Sequence, residues 1–232
     1  MTLGSPPTLH EGQRRPQEPD ATGIVFPDPR SADEEGIVGV GEDLRPGTVL
    51  EAYRTGIFPW PHSVRGKRIT LWFSPDPRAH FPLSATPHWS RSLRRTLRLH
   101  PWRITMDAAF ESVMRTCAYA REVEGTWITN GMVASYTHLH ALGHAHSLEV
   151  WEGDELVGGI YGVRVGRVFA GESMFHTRTD ASKVALAELA MRLYTAGFEL
   201  FDVQVMNPHL TSLGCEEISR EEYLARFAAA QT

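Results

Sequence analysis

A carboxylate and an amide lie two residues apart in an apolar segment near the C-terminus. Asp202 and Gln204 belong to residues 198–205, whose alternating pattern predicts a β-strand with both side chains on one face. Such groups are costly to bury without partners, and a structural hydrogen-bond network is one explanation. The other is a carboxylate that polarises an amide beside a reacting group, with Glu172, at the end of another predicted strand, as a third member.

Histidine is the next candidate for chemistry, because four histidines fall within nine positions: His138, His140, His144 and His146. His140 and His144 have the i, i+4 spacing of helical zinc ligands. Gly143 is expected to end the helix between them. Hydrogen bonding at a helix–strand junction is therefore favoured over a metal site.

Nucleophilic and nucleotide-dependent chemistry find little support in the sequence. Cys117 lies on an apolar helix face and Cys215 follows a glycine, so both are interpreted as structural. Ser173 is not part of a G-x-S-x-G turn. The chain has neither a G-x-x-x-x-G-K-[ST] loop nor a G-x-G-x-x-G loop after a strand. We therefore expect no metal and no nucleotide cofactor.

The basic residues are concentrated in one part of an acidic protein. The net charge is −5, yet residues 62–103 carry nine basic side chains against the single acid Asp76, a net charge of +8. A solvated face is the simplest explanation. A phosphate-binding surface is the alternative, and Trp60 and Trp127, in segments predicted to be irregular, favour it because such rings can stack on nucleobases. Four arginines in the basic stretch recur at helical spacing: Arg91, Arg94, Arg95 and Arg98.

The elements that must position these residues fall into three regions. Residues 1–22 are rich in proline and polar residues and are expected to form a disordered tail. Residues 23–78 contain a strand signal at 37–40 and a helix from Pro46 that Gly56 ends. Residues 56–61 are predicted to lie outside regular structure, because proline lacks the N–H that the hydrogen-bond patterns of helices and sheets require.

The third region, residues 79–232, predicts a mostly antiparallel sheet flanked by helices, with one helical crossover. The predicted helices cover about 88–99, 107–121, 130–142 and 181–196, and Asp107 is the expected N-cap of the second. A last helix is predicted to open with a capping box, Ser219 to Glu222. The predicted strands cover 145–151, 156–163, 166–171 and 198–205. No stretch reaches the roughly 20 apolar residues of a membrane helix and no signal-peptide pattern is present, so a cytosolic location without membrane contact is expected.

Short motifs then follow one another over about residues 24–227. They are GIFPW (56–60), WFSPDPR (72–78), GTWI (125–128), HAHS (144–147), EVW (149–151), GGIYG (158–162), GESMF (171–175), ASK (181–183), DVQ (202–204) and SLG (212–214). In this order they resemble the bacterial leucyl/phenylalanyl-tRNA–protein transferases. Each motif alone is weak, but the ordered set is highly specific.

The resemblance implies an α+β fold, with a small N-terminal α+β domain over residues 23–78 and a GNAT-like acyltransferase domain over residues 79–232. It implies transfer of leucine or phenylalanine, and less readily methionine, from aminoacyl-tRNA to the N-terminal arginine or lysine of proteins, which marks them for bacterial N-degron proteolysis. It implies no cofactor. A monomer is expected, since one chain engages the tRNA.

The resemblance also implies roles for single residues. Asp202 would polarise Gln204, whose amide would assist the attacking amine and the oxyanion, preferably by positioning and N–H donation, because an amide is a poor base. Glu172 would bind the cationic side chain of the acceptor, and Trp60 and Trp127 would stack on the terminal adenosine. The arginines Arg91, Arg94, Arg95 and Arg98 would contact tRNA phosphates. The aminoacyl pocket would comprise Ile160, Phe169, Met174, Leu186, Leu189, Leu193 and Phe201.

The sequence departs from the family pattern at Phe73, Val203 and Cys215, and in having the segment 1–22. Three rival interpretations remain. They are an acetyl-CoA-dependent acyltransferase, although residues 175–182 lack the glycines of its pyrophosphate loop, a non-catalytic tRNA-binding module, and a metalloprotein built on the histidine cluster.

Overall fold

The computed structural model of the protein describes residues 16–64, 67–120 and 126–231, and these contain two β-sheets. Residues 1–15 of the predicted tail and Gly125 of the GTWI motif lie outside the described residues. Residues 16–22 form no regular secondary structure but contact the rest of the protein, beginning with a hydrogen bond of 2.8 Å from the Gln17 N–H to the Leu142 carbonyl.

The smaller sheet is antiparallel, with strand order β1-β3-β2. Its strands are β1 (Ile37–Gly41), β2 (Phe58–Val64) and β3 (Lys67–Phe73), and the helix α1 (Pro46–Arg54) lies between β1 and β2 in the chain. As predicted, α1 begins at a proline, whose missing N–H costs nothing in the first turn, and ends just before Gly56, which adopts a φ of 79°.

The prediction that residues 56–61 lie outside regular structure holds for Gly56 and Ile57 but is wrong from Phe58 onward. Pro59 and Pro61 belong to β2 and pair with Trp72 and Thr70 of β3. Since β2 is an edge strand, it tolerates prolines whose nitrogens face away from the neighbouring strand. Trp60 therefore projects from an ordered strand instead of a loop.

The larger sheet has seven strands in the order β10-β4-β9-β8-β7-β6-β5. The strands are β4 (Arg78–Phe81), β5 (Arg103–Met106), β6 (Ala145–Glu152), β7 (Glu155–Val165), β8 (Val168–His176), β9 (Leu200–Gln204) and β10 (Glu216–Ile218). All neighbours are antiparallel except β8 and β9, which are parallel and joined by the long helix α5 (Ala181–Thr195). The predicted sheet with one helical crossover is confirmed.

The other helices are α2 (Arg91–Leu99), α3 (Phe110–Ala120), α4 (Asn130–Ala141), α6 (Pro208–Ser212) and α7 (Arg220–Ala230). The prediction that Asp107 caps α3 is wrong, because the helix begins at Phe110 and Asp107 has a φ of 57°. Its carboxylate instead accepts hydrogen bonds from the Ser147 N–H at 2.9 Å and lies 2.8 Å from His146 Nδ1. The predicted cap of α7 is confirmed, since Ser219 accepts a hydrogen bond from the Glu222 N–H.

The large sheet separates two apolar clusters. Successive residues of β7 point to opposite sides, as a pleated strand requires. Ile160 packs with residues of α2 and α5, whereas Tyr161 packs with residues of α1, α3 and α4. The N-terminal helix α1 thus contributes to the core of the larger sheet. The α+β fold class is confirmed, with a small three-stranded N-terminal sheet ahead of the seven-stranded one. Among the described helices, none combines the length and the apolar character needed to cross a bilayer.

Candidate active site

A cavity of about 650 Å³ lies where the two parallel strands separate. β8 and β9 pair from Val168 with Leu200 to Ala170 with Asp202. Beyond these pairs, residues 171–174 of β8 and residues 203–207 after Asp202 line the cavity. The cavity therefore lies at the carboxyl ends of parallel strands, where ligands bind in open α/β sheets.

Glu172 lines this cavity at an irregularity of β8. Gly162 pairs with Gly171 whereas Tyr161 pairs with Ser173, so Glu172 is an extra residue opposite β7. Such a β-bulge bends the strand and re-aims the side chain of the extra residue. Glu172 lies on the same side of the sheet as Ala170, where Tyr53 and Tyr136 also pack, whereas Met174 packs on the opposite side. The bulge therefore changes the side to which the residues after Glu172 point, so that Glu172 and Met174 can both line the cavity.

Three polar side chains hold the Glu172 carboxylate. The Tyr53 hydroxyl and Gln204 Nε2 each donate to Oε1 at 2.5 Å, and the Tyr136 hydroxyl donates to Oε2 at 3.4 Å. The two tyrosine oxygens are themselves 2.7 Å apart. Burial raises the pKa of Glu172 to about 7, although the hydrogen bonds from Tyr53 and Gln204 act in the opposite direction. Near neutral pH, Glu172 therefore exchanges between its protonated and ionised forms.

Asp202 lies beneath the cavity in a buried ion pair. Its two carboxylate oxygens accept from Arg78 Nε at 2.9 Å and from an Arg78 terminal nitrogen at 2.7 Å, and both side chains are only 1% exposed. The Tyr223 hydroxyl donates to the same carboxylate at 3.0 Å. The Arg78 guanidinium also lies over the rings of Phe58 and Tyr223. Burial disfavours its charge, but the attraction of Asp202 outweighs this effect and raises the pKa of Arg78.

Gln204 is held in a strained conformation by Asp202. Its φ of 68° is unusual for a residue with a side chain. The Gln204 main-chain N–H donates to Asp202 Oδ1 at 2.8 Å, which favours this conformation. The Gln204 side-chain amide, in contrast, donates to Glu172. Among the described contacts, Asp202 therefore reaches the Gln204 backbone, and Glu172 is the carboxylate that reaches its amide.

The predicted apolar pocket divides into two groups. Ile160, Met174 and Leu186 line the cavity, together with Val203 and Leu210. The other four residues are at most 1% exposed within the core and are not among the residues that line the cavity: Phe169, Leu189, Leu193 and Phe201. They lie on the same elements but point into the packed interior, where no surface remains for a ligand.

Both predicted stacking residues, Trp60 and Trp127, border the cavity, and both remain partly exposed. The Trp60 ring lies 5.5 Å from the Phe73 ring and 5.7 Å from the His62 ring, measured between centroids. Neighbouring rings restrict the orientation of Trp60, so stacking of a flat ligand on the part that lines the cavity would cost little conformational entropy.

The predicted basic helix is α2, and its four arginines are exposed: Arg91, Arg94, Arg95 and Arg98. Ser90 caps the helix by accepting a hydrogen bond from the Leu93 N–H, and Leu93 is buried. The Thr96 hydroxyl donates to Asp180, just before α5, at 3.3 Å. Two cavity-lining residues, His176 and Ser182, flank that position in the sequence. The basic surface is thus fixed close to one side of the cavity.

Three of the four clustered histidines make hydrogen bonds to protein groups, and His138 is exposed. His140 Nδ1 lies 2.8 Å from the Ala145 carbonyl, and its ring stacks on Phe110. His146 bridges Asp107 and the Gly143 carbonyl. Across the described part of the chain, no group of three or more histidine, cysteine or acidic side chains could hold a metal ion.

Neither cysteine fits a nucleophilic role. Cys117 and Cys215 are both buried. Burial raises the pKa of Cys215 to about 12, which strongly disfavours the reactive thiolate.

Four residues of the site are missing from the sequence-based prediction: Arg78, Tyr53, Tyr136 and Tyr223. The available signal for Arg78 is an arginine that opens the otherwise mostly apolar segment 78–81 after a proline-rich turn. The three tyrosines lie on predicted helices and give no signal of their own. Only the fold brings the hydroxyls of Tyr53 and Tyr136 to Glu172, and that of Tyr223 to Asp202.

Comparison with known proteins covers most of the chain. A family profile described as leucyl/phenylalanyl-tRNA protein transferase matches residues 82–228, and the profile of the N-terminal domain of that family matches residues 42–76. A leucyl/phenylalanyl-tRNA–protein transferase of Shewanella baltica is 52% identical over 203 residues, covering 86% of this chain and 84% of the relative. One from Shewanella denitrificans is 50% identical over 196 residues, covering 84% and 82% respectively.

Among solved structures, a conserved protein of unknown function from Bacteroides thetaiotaomicron superposes with a TM-score of 0.44 and 11% identity, covering 66% of this chain and 55% of that one. A similarity this remote has no bearing on function.

Proposed function

Because the chain belongs to the leucyl/phenylalanyl-tRNA–protein transferase family, we propose that it moves leucine or phenylalanine, and less readily methionine, from the charged tRNA to the N-terminal arginine or lysine of acceptor proteins. The product carries a destabilising N-terminal residue for proteolysis. The observation that carries the proposal is one cavity that joins an apolar pocket to the Glu172–Gln204 pair. Charged tRNA is a cytosolic substrate and one chain forms the whole cavity, so we also propose a cytosolic monomer.

The proposed reaction is aminolysis of an ester. The acceptor α-amine attacks the aminoacyl carbonyl, an amide bond forms, and the bond to the tRNA ribose oxygen breaks. The amine loses one proton as the bond forms, and the ribose oxygen gains one as it leaves. Aminoacyl-tRNA is already activated, so no nucleotide or covalent nucleophile is required. The protein contributes proximity and a suitable electrostatic environment.

The Glu172–Gln204 pair supports a positioning role for the amide. Gln204 Nε2 donates one of its hydrogens to Glu172. The side-chain oxygen of Gln204 is therefore the group that can accept a hydrogen bond from the attacking amine. The negative charge of ionised Glu172 polarises that amide, whereas Asp202 fixes the Gln204 backbone. This differs from the sequence-based hypothesis, in which Asp202 polarises the amide and Nε2–H stabilises the oxyanion.

The apolar part of the cavity supports a preference for leucine and phenylalanine. Ile160, Met174 and Leu186 provide this surface, with Val203 and Leu210 beside them. When two competing side chains differ by one methylene, their binding free energies in an apolar pocket differ by only about 1–3 kcal/mol. A pocket of this kind therefore separates leucine, phenylalanine and methionine weakly, and flexible Met174 can adapt to each.

Transfer of labelled leucine from tRNA to peptides that begin with arginine, lysine or alanine tests the proposal, with no ATP, coenzyme A or metal added. We expect label on the arginine and lysine peptides alone. Gln204→Ala should retain tRNA binding and lose most transfer. No label from intact charged tRNA and folded wild-type protein would exclude the transferase. Tight binding of acetyl-CoA would then favour the acyltransferase alternative.

The basic helix supports binding of tRNA phosphates, and a salt titration tests it. Arg94→Gln combined with Arg98→Gln should weaken tRNA binding and reduce the slope of log Kd against log salt concentration by roughly 1–2, because each lost phosphate contact releases about one counterion fewer. The rate at saturating tRNA should change little. Arg226→Gln, on α7 and paired with Glu222, is the control. An unchanged slope in the double variant would show that the tRNA phosphates do not contact Arg94 and Arg98.

A further inference from the structure

The N-terminal segment of residues 16–22 is tied to the larger domain at its beginning. The Gln17 N–H donates to the Leu142 carbonyl at 2.8 Å. The Gln17 carbonyl lies 3.0 Å from His144 Nε2, a contact in which the ring nitrogen acts as donor. Both partners belong to the turn between α4 and β6. The segment is therefore anchored to a rigid corner of the large sheet.

The same segment then contacts α1 along its outer side. The Glu18 carboxylate accepts from an Arg54 terminal nitrogen, which lies 2.7 Å from both oxygens. The hydroxyls of Thr22 and Thr48 are 2.8 Å apart. At Gly47 the approach is closest, since a Cβ built there would lie 2.2 Å from the Asp20 carbonyl oxygen. The backbone of the segment thus lies directly on α1, over a position that only glycine allows.

α1 packs on both of its sides. Its inner side is buried in the core of the larger sheet, and the segment of residues 16–22 covers its outer side. The helix has nine residues, and its N-cap residue Arg45 makes no side-chain capping hydrogen bond. A helix this short is marginal without tertiary contacts. Its inner side contributes Tyr53, whose hydroxyl donates to Glu172. The position of α1 therefore determines the geometry of a carboxylate in the cavity.

We propose that residues 16–22 form a strap that holds α1 in place and thereby positions Tyr53 against Glu172. The strap links the α4–β6 corner to α1, and α1 links the strap to the cavity. The strap precedes the residues that match the family profiles, which begin at residue 42. Its effect on catalysis rests on the proposed function, in which Glu172 binds the cationic side chain of the acceptor as the family resemblance implies, whereas its contact with α1 does not.

Gly47→Ala in the full-length protein is the test variant. Alanine is the better helix former, so α1 itself should not be weakened. The added Cβ cannot coexist with the Asp20 carbonyl, and the strap must leave or α1 must shift. Gly131→Ala in the first turn of α4 is the matched control, because its Cβ would meet only Thr129 Oγ1 at 3.6 Å and Leu44 Cδ1 at 3.9 Å, which are ordinary contacts.

Hydrogen exchange measured by mass spectrometry is the first readout and needs no activity. Amides of the peptide covering residues 16–22 should exchange several-fold faster in Gly47→Ala than in the wild type, and should be unchanged in Gly131→Ala. Equal exchange in both variants would overturn the proposed contact between strap and α1.

The second readout is the KM for an arginine-initiated acceptor as a function of pH. The Tyr53 hydrogen bond lowers the pKa of Glu172. Its loss should therefore move the midpoint of the KM–pH profile to higher pH and raise the KM at pH 7 about two- to tenfold. This effect of Gly47→Ala should vanish in a Tyr53→Phe background, because the hydroxyl that donates to Glu172 is then already absent. Faster exchange with an unchanged KM–pH profile would overturn positioning. Inactivity of the wild type would instead count against the proposed function alone.

Discussion

Glu172→Gln is expected to lower kcat/KM for acceptors that begin with arginine or lysine by about 10- to 100-fold, while the Kd for Leu-tRNA changes little. The glutamine side chain fills the same space and can still accept from Tyr53 and Gln204. It lacks the charge that is proposed to pair with the cationic side chain of the acceptor, and a hydrogen bond to a charged group contributes about 1.5–3 kcal/mol. Steady-state kinetics with arginine, lysine and alanine peptides measure the loss.

The pH dependence of acceptor binding provides a second check on the same residue. The pKa of Glu172 is raised to about 7, so the wild-type KM for the acceptor should fall as the pH rises from 6 to 8 and the carboxylate ionises. In Glu172→Gln this dependence should disappear. A wild-type KM that does not vary over this range would argue against a charge pair at Glu172.

The same substitution is expected to stabilise the fold. Because the pKa of Glu172 is about 7 in the folded protein and 4.5 is its ordinary value, ionisation opposes folding increasingly between pH 4.5 and 7 and fully above pH 7. Glu172→Gln should therefore raise the free energy of unfolding by about 1–3 kcal/mol at pH 8 and by almost nothing at pH 4. Chemical denaturation at both pH values measures this. Glu199→Gln, at an exposed ion pair with Arg167, should show no such pH dependence.

Arg78→Met is expected to lower the free energy of unfolding by about 3–5 kcal/mol and to abolish transfer. The substitution leaves the Asp202 carboxylate 1% exposed and without its cation. Asp202→Ala should be similarly destabilising, because it leaves a buried guanidinium unpaired. Urea unfolding and tRNA binding at a temperature where the variants remain folded separate instability from loss of function.

The double variant Arg78→Met/Asp202→Ala provides the decisive comparison. It contains no unpaired buried charge, so its destabilisation should be clearly smaller than the sum of the two single effects. Transfer should remain lost, because the Gln204 N–H loses its acceptor and the strained φ of Gln204 loses its support. Activity restored together with stability would show that the pair only holds the fold. Arg30→Met, which removes an exposed ion pair with Glu221, should have no measurable effect on stability.

The secondary structure was predictable where a residue pattern is long and its ends are marked. α1 follows from a proline start and a glycine stop, and α7 from the capping box at Ser219. β4, β5, β10 and α6 were missed. They have three to five residues, which is too few for a period to show, and the three strands exist because distant strands pair with them. The error at residues 58–61 has the same origin, since edge position is a tertiary property.

The candidate site was predictable as a set of residues and not as a set of contacts. Asp202, Gln204 and Glu172 were selected by type and spacing, and the structure gathers them. Their mutual geometry did not follow the alternation of an ideal strand. The bulge at Glu172 and the positive φ of Gln204 each redirect a side chain, and neither leaves a recognisable trace in the neighbouring residues.

By itself, the sequence determined the kinds of chemistry available, the order of the motifs and hence the family, and most of the helices and strands. These depend on residue types and on neighbours within a few positions. Only the tertiary structure decided which carboxylate contacts which atom of Gln204 and which cation neutralises Asp202. Arg78 and Asp202 are 124 positions apart, and Tyr53 and Glu172 are 119 apart. Contacts at such separations are selected by the packing of the whole chain, because burial makes each unpaired polar group too costly to leave without a partner.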